Sequence, residues 1–393
     1  MIYQRRLLAH LQQQITAREI IVLTGMRRVG KTTVMQMLFN LIPSGNKVFF
    51  DLENPIVQKI FEETDYRNVL VNLRQFNIKE DEKTFLFIDE IQAMPSIVRV
   101  IKYLYDHFNI KFFITGSSSY YLKNLFPESL AGRKLIFELF PLDFEEFLVF
   151  KEVKRHVEES FIDKEKNKNR VRVEMLQKLS DEYEEFGGFP QVVLERDNEQ
   201  KKRFLDDIFT SYFEKEVTKL ADFRKVSVFR DCLLLLMERT GSKLDISKLS
   251  SELGVSRDTV YSYIAFLQGT YMIHLIPPFT RNRDREISGT RKLYFCDTGM
   301  LNHFSRVSHG SLFENMVYLN LRRHGAVSYY QKRTGKEIDF IIDGIKGFEV
   351  KGTPTAQDIK SLADMSELLD LKEWHIVSRG YSSLAQTIPV VDL

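Results

Sequence analysis

Eight residues, GMRRVGKT (25–32), restrict what this chain can become more than any other stretch. They fit the pattern G-x-x-x-x-G-K-[ST], and the flanks are those the pattern needs. EIIVLTG (19–25) is a short apolar run ending in glycine and reads as a buried strand. KTTVMQMLFNLI (31–42) has the apolar spacing of a helix. A strand that turns on glycine into a helix aims the loop amides and the helix N-terminus at an anion. Gly25 and Gly30 let the backbone turn and approach phosphate oxygens, with Arg28 and Val29 between them in the loop. Lys31 is expected on the β- and γ-phosphates, the Thr32 hydroxyl on Mg²⁺, and Thr33 on the α-phosphate. ATP with Mg²⁺ is therefore the expected ligand. Arg27 and Arg28 have two readings, contact with phosphate or a partner and simple exposure.

The surrounding pattern is α/β. KVFFDLE (47–53), TFLFIDE (84–90) and KFFITGSSS (111–119) are further strands, and SIVRVIKYLYDHF (96–108) is a helix. Strands alternating with helices predict a doubly wound parallel sheet of the P-loop NTPase kind over 1–150, closing around FELFPLDFEEFL (137–148). FLFIDE (85–90) ends a central strand on Asp89, placed to hold the Mg²⁺ water shell, with Glu90 as general base for the attacking water. Thr115, Ser117 and Ser118 either report on the γ-phosphate or cap helices. Arg133, in LAGRK (130–134), reads either as an arginine finger reaching a neighbouring subunit's nucleotide or as a surface side chain.

Residues 151–186 are densely charged and read as a linker or solvated helical insertion. A helical region, 187–293, contains LDISKLSSELGVSRDTVYSYIAFLQGTYMIHLI (244–276). Ile246, Leu249 and Leu253 form one stripe; Val260, Ile264 and Leu267 form another across the GVS turn, where Ser256 is the expected N-cap. Two short helices and a following strand predict a winged helix-turn-helix. Arg257 and Tyr261 would open its second helix, and RNRDREISGTRK (281–292) would be a basic wing. DNA is one expected partner, and a packing or dimerisation role is the other reading. Composition decides little here. A formal net charge of +2 over 393 residues means that any nucleic-acid surface must be local. Two distant cysteines exclude a disulfide framework or zinc cluster. The longest apolar run, CLLLLM (232–237), is too short for a bilayer, and the first residues lack an apolar leader core. A cytoplasmic protein without a membrane partner is expected, acting as a homo-oligomer or with a protein partner.

The C-terminal region, 294–393, reads as α+β around EIDFIIDGIKGFEVKG (337–352). Ile338, Phe340 and Ile342 alternate with Glu337, Asp339 and Ile341. A two-residue Asp-Gly turn would set Asp339 against Phe348 and mix polar with apolar faces. A three-residue loop, 343–345, pairs Phe340 with Phe348 and Asp339 with Glu349, and puts Lys351 beside Glu349. A five-residue loop, or a bulge that keeps this parity, would also serve. Two facing acids need a neutralising charge, supplied either by a divalent ion or by Lys351. In the first case Lys351 would orient water and stabilise developing charge. Glu314, on the helix SLFENMVYLNLRRHG (311–325), is a further candidate ligand.

Taken in order, GMRRVGKTT, LFIDEIQ, ITGSSS, LAGR…FPLDFEEFL, GGFP and FENMVYLNLRR…GKEIDFII…FEVKG resemble the bacterial and archaeal AAA-type P-loop ATPases that carry an uncharacterised C-terminal domain. The likeness spans nearly the whole chain. The last segment is also similar to the PD-(D/E)xK nuclease fold, a restriction-endonuclease-like α+β domain. That resemblance implies metal binding, Mg²⁺ or Mn²⁺, by Glu314, Asp339 and Glu349, with Lys351 completing a catalytic E-x-K. Ile338 stands where the pattern has proline, a position that is not a ligand. The 151–182 stretch is longer than the family leads one to expect.

Overall fold

The computed structural model describes residues 3–116, 132–156, 158–218, 226–280, 289–332 and 334–393. Ser117 and Ser118, and most of the expected basic wing, lie outside them. The chain divides into two compact units. The first runs to Phe140 and takes in Gly269–Tyr271; the second holds Pro141–Gln268 and Met272–Leu393.

The first unit is built on a five-stranded sheet in the order β2-β3-β4-β1-β5, with every pairing parallel. The strands are β1 (Ile20–Thr24), β2 (Lys47–Asp51), β3 (Thr84–Asp89), β4 (Ile110–Gly116) and β5 (Lys134–Glu138). β1, β3 and β4 are buried along their whole length, which is why they read as unbroken apolar runs. Ile20, Val22, Leu86, Ile88, Phe112 and Ile114 share one core with the helix Ile97–His107. The P-loop NTPase expectation for this region holds.

In the second unit, helices lead to a short hairpin and then to a second sheet. The helix Ile246–Leu253 ends on Gly254 in the left-handed region (φ +62°). The helix Arg257–Gly269 follows, with Ser256 Oγ accepting from Thr259 N at 3.1 Å. Leu249, Val260, Ile264 and Leu267 are buried, as their spacing requires. β6 (Ile273–Ile276) then pairs antiparallel with β7 (Lys292–Phe295). The second sheet has the order β12-β11-β10-β9-β8. β8 (Val327–Gln331), β9 (Glu337–Ile342) and β10 (Lys346–Lys351) form an antiparallel meander. The helix Ala356–Leu368 carries the chain to β11 (Glu373–Ser378), parallel to β10, and β12 (Thr387–Pro389) adds at the edge.

Two expectations change. The charged stretch 151–186 is helical, as one of its two readings had it, but it is partly buried rather than solvated. It forms the helices Phe161–Lys166 and Arg170–Phe186, and Val173, Leu176, Tyr183 and Phe186 are buried. The Tyr183 hydroxyl donates to Leu142 O at 2.8 Å, and Phe161 packs edge-on against Phe348 of β10, ring centroids 4.8 Å apart. The apolar stripe is narrow, and the charges between its members hide it in a composition scan. Apart from Gly269–Tyr271, the regions 187–293 and 294–393 lie in the same compact unit.

The hairpin has the three-residue loop: Ile342 pairs with Lys346 and Phe340 with Phe348. Strict alternation along β9 nevertheless fails. Ser328 faces Ile341 while Tyr330 faces Ile338, so Tyr329 alone opposes both Asp339 and Phe340. That is a β-bulge, and it re-aims the side chains before it. Ile338 therefore joins Ile341 in the core with Leu362 and Met365, whereas Phe340 lies against Tyr294 and Tyr318, centroids 5.3 and 6.0 Å away.

Candidate functional site

The loop after β1 turns as its glycines require. Gly25 has φ +145°, and a Cβ there would lie 2.0 Å from Leu139 O, so no other residue fits. Arg28 (φ +66°) and Gly30 (φ +95°) are both left-handed. The helix Lys31–Leu41 starts directly after Gly30. Lys31 is 5% exposed, and its ammonium donates to Gly25 O at 2.9 Å and Met26 O at 2.8 Å. Its charge also bears on the Asp89 carboxyl.

β3 brings its acid to the same place. Thr32 Oγ1 donates to Asp89 Oδ2 at 2.7 Å, and Thr115 Oγ1 donates to Asp89 Oδ1. Burial pushes the Asp89 carboxyl above its usual range, against the pull of those two hydroxyls. Glu90 follows in the left-handed region (φ +54°), its N–H donating to Thr115 Oγ1 at 3.1 Å and its side chain accepting from Gln92 Nε2. Such a φ on a non-glycine residue is uncommon and clusters at functional sites. Hydroxyl and carboxylate oxygens side by side suit Mg²⁺, so Thr32 and Asp89 fit the expected ion. Thr33 is exposed on the helix's first turn.

Arg133 does not join this group. Its carbonyl accepts from Ile20 N at 2.8 Å, at the opposite end of β1 from the loop. The four residue steps from Ile20 to Thr24 separate them by about 13 Å. Its guanidinium pairs with Asp106 at 3.0 Å. Within its own chain Arg133 therefore lies away from the phosphate loop. Sequence reading also missed Arg5. Buried, it donates to Val29 O at 2.9 Å and Phe140 O at 2.8 Å, bracing the phosphate loop from behind. No motif marks it, because the contact spans 24 and 135 residues.

In the second unit the fold does gather the expected acids, Glu314, Asp339 and Glu349, with Lys351. The ladder between β9 and β10 stops at Phe340–Phe348, and Asp339 Oδ2 takes the next amide, Val350 N, at 2.8 Å. Lys351 Nζ donates to Glu349 Oε1 at 2.8 Å. Tyr294 of β7 donates its hydroxyl to Glu314 Oε1 at 2.6 Å. Lys292 was expected in an exposed wing. It is instead buried, with its ammonium 3.3 Å from Glu337, 3.6 Å from Glu314 and 3.9 Å from Asp339. Burial and the Asp339 charge push Glu314 up to about 7 and Glu349 up to about 8. Burial raises Asp339 as well. Burial opposes the charge on Lys292, but Glu314, Asp339 and Glu337 outweigh it and hold its pKa above the usual lysine range. The acids are thus together, and Glu314, Asp339 and Glu349 each have one oxygen held by a protein donor. Among the described residues, no three or more His, Cys, Asp or Glu side chains are arranged to hold a metal ion. As they stand, the three expected ligands do not fit Mg²⁺ or Mn²⁺.

Comparison with known proteins agrees with the first unit. The model of the AAA domain matches residues 17–148. Two domains of unknown function, DUF8612 and DUF4143, match 177–311 and 309–391. The uncharacterized protein MJ1544 of Methanocaldococcus jannaschii is 33% identical over 339 residues, 83% of this chain and 72% of that protein. An uncharacterized protein of Haemophilus influenzae is 26% identical over 84% of this chain and 82% of its own length. Among solved structures, the ORC1 protein of Aeropyrum pernix in complex with DNA covers 82% of this chain and 94% of its own, at 11% identity and a TM-score of 0.33. Cdc6p of Pyrobaculum aerophilum covers 81% and 94%, at 12% identity and a TM-score of 0.31. Among the described residues, no helix is long and apolar enough to cross a membrane. With its phosphate loop and acid-tipped β3 in place, the chain belongs to the AAA-domain P-loop ATPase family that includes MJ1544.

Proposed function

We propose that the protein hydrolyses ATP on residues 25–33 and uses the cycle to engage DNA through its helix-turn-helix and C-terminal layer. The observation that carries the first half is the Thr32–Asp89 hydrogen bond, 2.7 Å, beside Glu90 and the buried Lys31. The left-handed Arg28 and Gly30 turn loop amides toward the phosphates. Lys31 exchanges its two carbonyl partners for phosphate oxygens. Thr32 and Asp89 would hold Mg²⁺, which when bound would neutralise charge on the phosphates. Glu90 accepts the proton of the attacking water, with its backbone fixed by Thr115. Lys31→Ala is expected to abolish ATP hydrolysis while circular dichroism stays native; a folded variant that turns over normally would sink the assignment.

The DNA half draws support from Arg257 and Tyr261, both exposed at the start of the second helix of the helix-turn-helix. The C-terminal layer adds a PD-(D/E)xK-like order of elements, a helix, a three-stranded meander, a helix and a parallel strand. Its acids are bonded to protein donors, so the reading assigns this layer to binding rather than cutting.

One observation favours a second reading, an ATP-dependent switch that recruits protein partners. The net charge is only +2, and Lys292 of the expected wing points its charge inward. Fluorescence anisotropy with labelled duplex DNA at low salt separates the two. Binding absent with and without ATP favours the switch.

A further inference from the structure

The acid cluster of the second unit already holds a cation of its own. β7 inserts Lys292, its side chain 4% exposed, so that one ammonium lies 3.3–3.9 Å from carboxylate oxygens of Glu337, Glu314 and Asp339. These distances exceed those of tight charge-assisted hydrogen bonds and describe a charge shared among three acids. Tyr294 of the same strand fixes Glu314. Gly241, across the cluster, has no side chain to intrude; a Cβ there would stand 3.2 Å from Glu314 Oε2. Glu349, 9% exposed, keeps Oε2 buried and without a hydrogen-bond partner among the described residues. Four carboxylates, Glu314, Glu337, Asp339 and Glu349, thus surround two ammoniums, Lys292 and Lys351.

We propose that Lys292 is the resident counter-cation of this cluster and keeps divalent metal out of it. A divalent ion needs carboxylate oxygens at roughly 2.0–2.2 Å. The oxygens of Glu314 and Asp339 that face Lys292 are those such an ion would use, and its positive charge beside an ammonium would be strongly repelled. Replacing Lys292 with an uncharged side chain leaves buried acids underneutralised, which is what draws a divalent ion in. The inference stands on these ion pairs and does not depend on ATP hydrolysis or DNA binding.

The test is Mn²⁺ titration of the nucleotide-free full chain by calorimetry, with electron paramagnetic resonance of free Mn²⁺ as a second readout. The wild type is expected to bind Mn²⁺ at this cluster no tighter than millimolar. Lys292→Met is expected to bind at least tenfold tighter, and adding Glu349→Gln should cancel the gain. If Lys292→Met does not fold, Lys292→Met with Glu337→Gln removes the ammonium together with an acid the ion would not use, and should keep part of the gain. A folded variant without tighter binding overturns the proposal. So does micromolar wild-type binding that Glu349→Gln abolishes, a measurement that decides whether or not either variant folds. Loss of ATPase activity in Lys31→Ala bears on the nucleotide reading alone, so the two can fail separately.

Discussion

Lys31 and Lys292 are both buried lysines, and their partners give them opposite work. Lys31 directs its charge at two backbone carbonyls of the loop where phosphate is expected. Lys292 is surrounded by acids and has that charge already answered. Glu90 is a third residue whose surroundings define it, with a left-handed backbone and an amide tied to Thr115. Glu90→Gln keeps the shape and removes the base. Turnover is expected to fall by about 10²–10⁴ while ATP affinity stays within about threefold, because only the transition state uses the lost group. Stopped-flow hydrolysis with equilibrium nucleotide binding checks both halves; an equal loss in binding and turnover would contradict the role. Of this site, Gly25, Gly30, Lys31, Thr32 and Asp89 were legible from spacing, because backbone geometry and phosphate chemistry leave few substitutes. Arg5 was not, since its partners are remote in sequence.

At the scale of elements, two local devices carry consequences. One is the bulge at Asp339–Phe340, which the hydrophobic alternation of β9 could not reveal. It needs the neighbouring strand β8, since a bulge is a property of a pair. The other is the cap of the helix Thr298–Phe304. Asp297 is buried, accepts from Met300 N at 3.0 Å and Gly188 N at 2.7 Å, and is pushed by burial from 3.8 up to about 6. A raised carboxyl pKa contributes stability that is present below the unfolded value near 4 and is lost as pH rises through about 6. Asp297→Asn removes the titration while keeping an acceptor. The stability of wild type relative to this variant is therefore expected to drop by about 2–3 kcal/mol between pH 4 and pH 7. Urea unfolding at each pH measures it, and a pH-independent difference would refute the assignment.

The whole molecule raises the question of what nucleotide turnover serves. With a net charge of +2, DNA binding has to come from a few local contacts, and salt dependence can count them. Arg257→Ala is expected to weaken duplex binding and to lower the slope of log affinity against log salt by about one, the signature of one lost phosphate contact. An unchanged slope and affinity would remove this helix from the interface and favour the protein-partner reading. The sequence alone determined the nucleotide-binding half, because a glycine turn between a buried strand and a helix leaves the backbone almost one course, and the chemistry follows from it. It also determined the register in which Phe340 meets Phe348, while the structure chose the three-residue loop among those that keep it. Tertiary structure alone decided that the charged helices of 151–186 pack into the second unit, that Arg133 lies at the wrong end of its sheet, and that Lys292 turns inward among the acids. Those outcomes depend on which distant surface each side chain meets, and a charged residue looks the same in a sequence whether water or a carboxylate surrounds it.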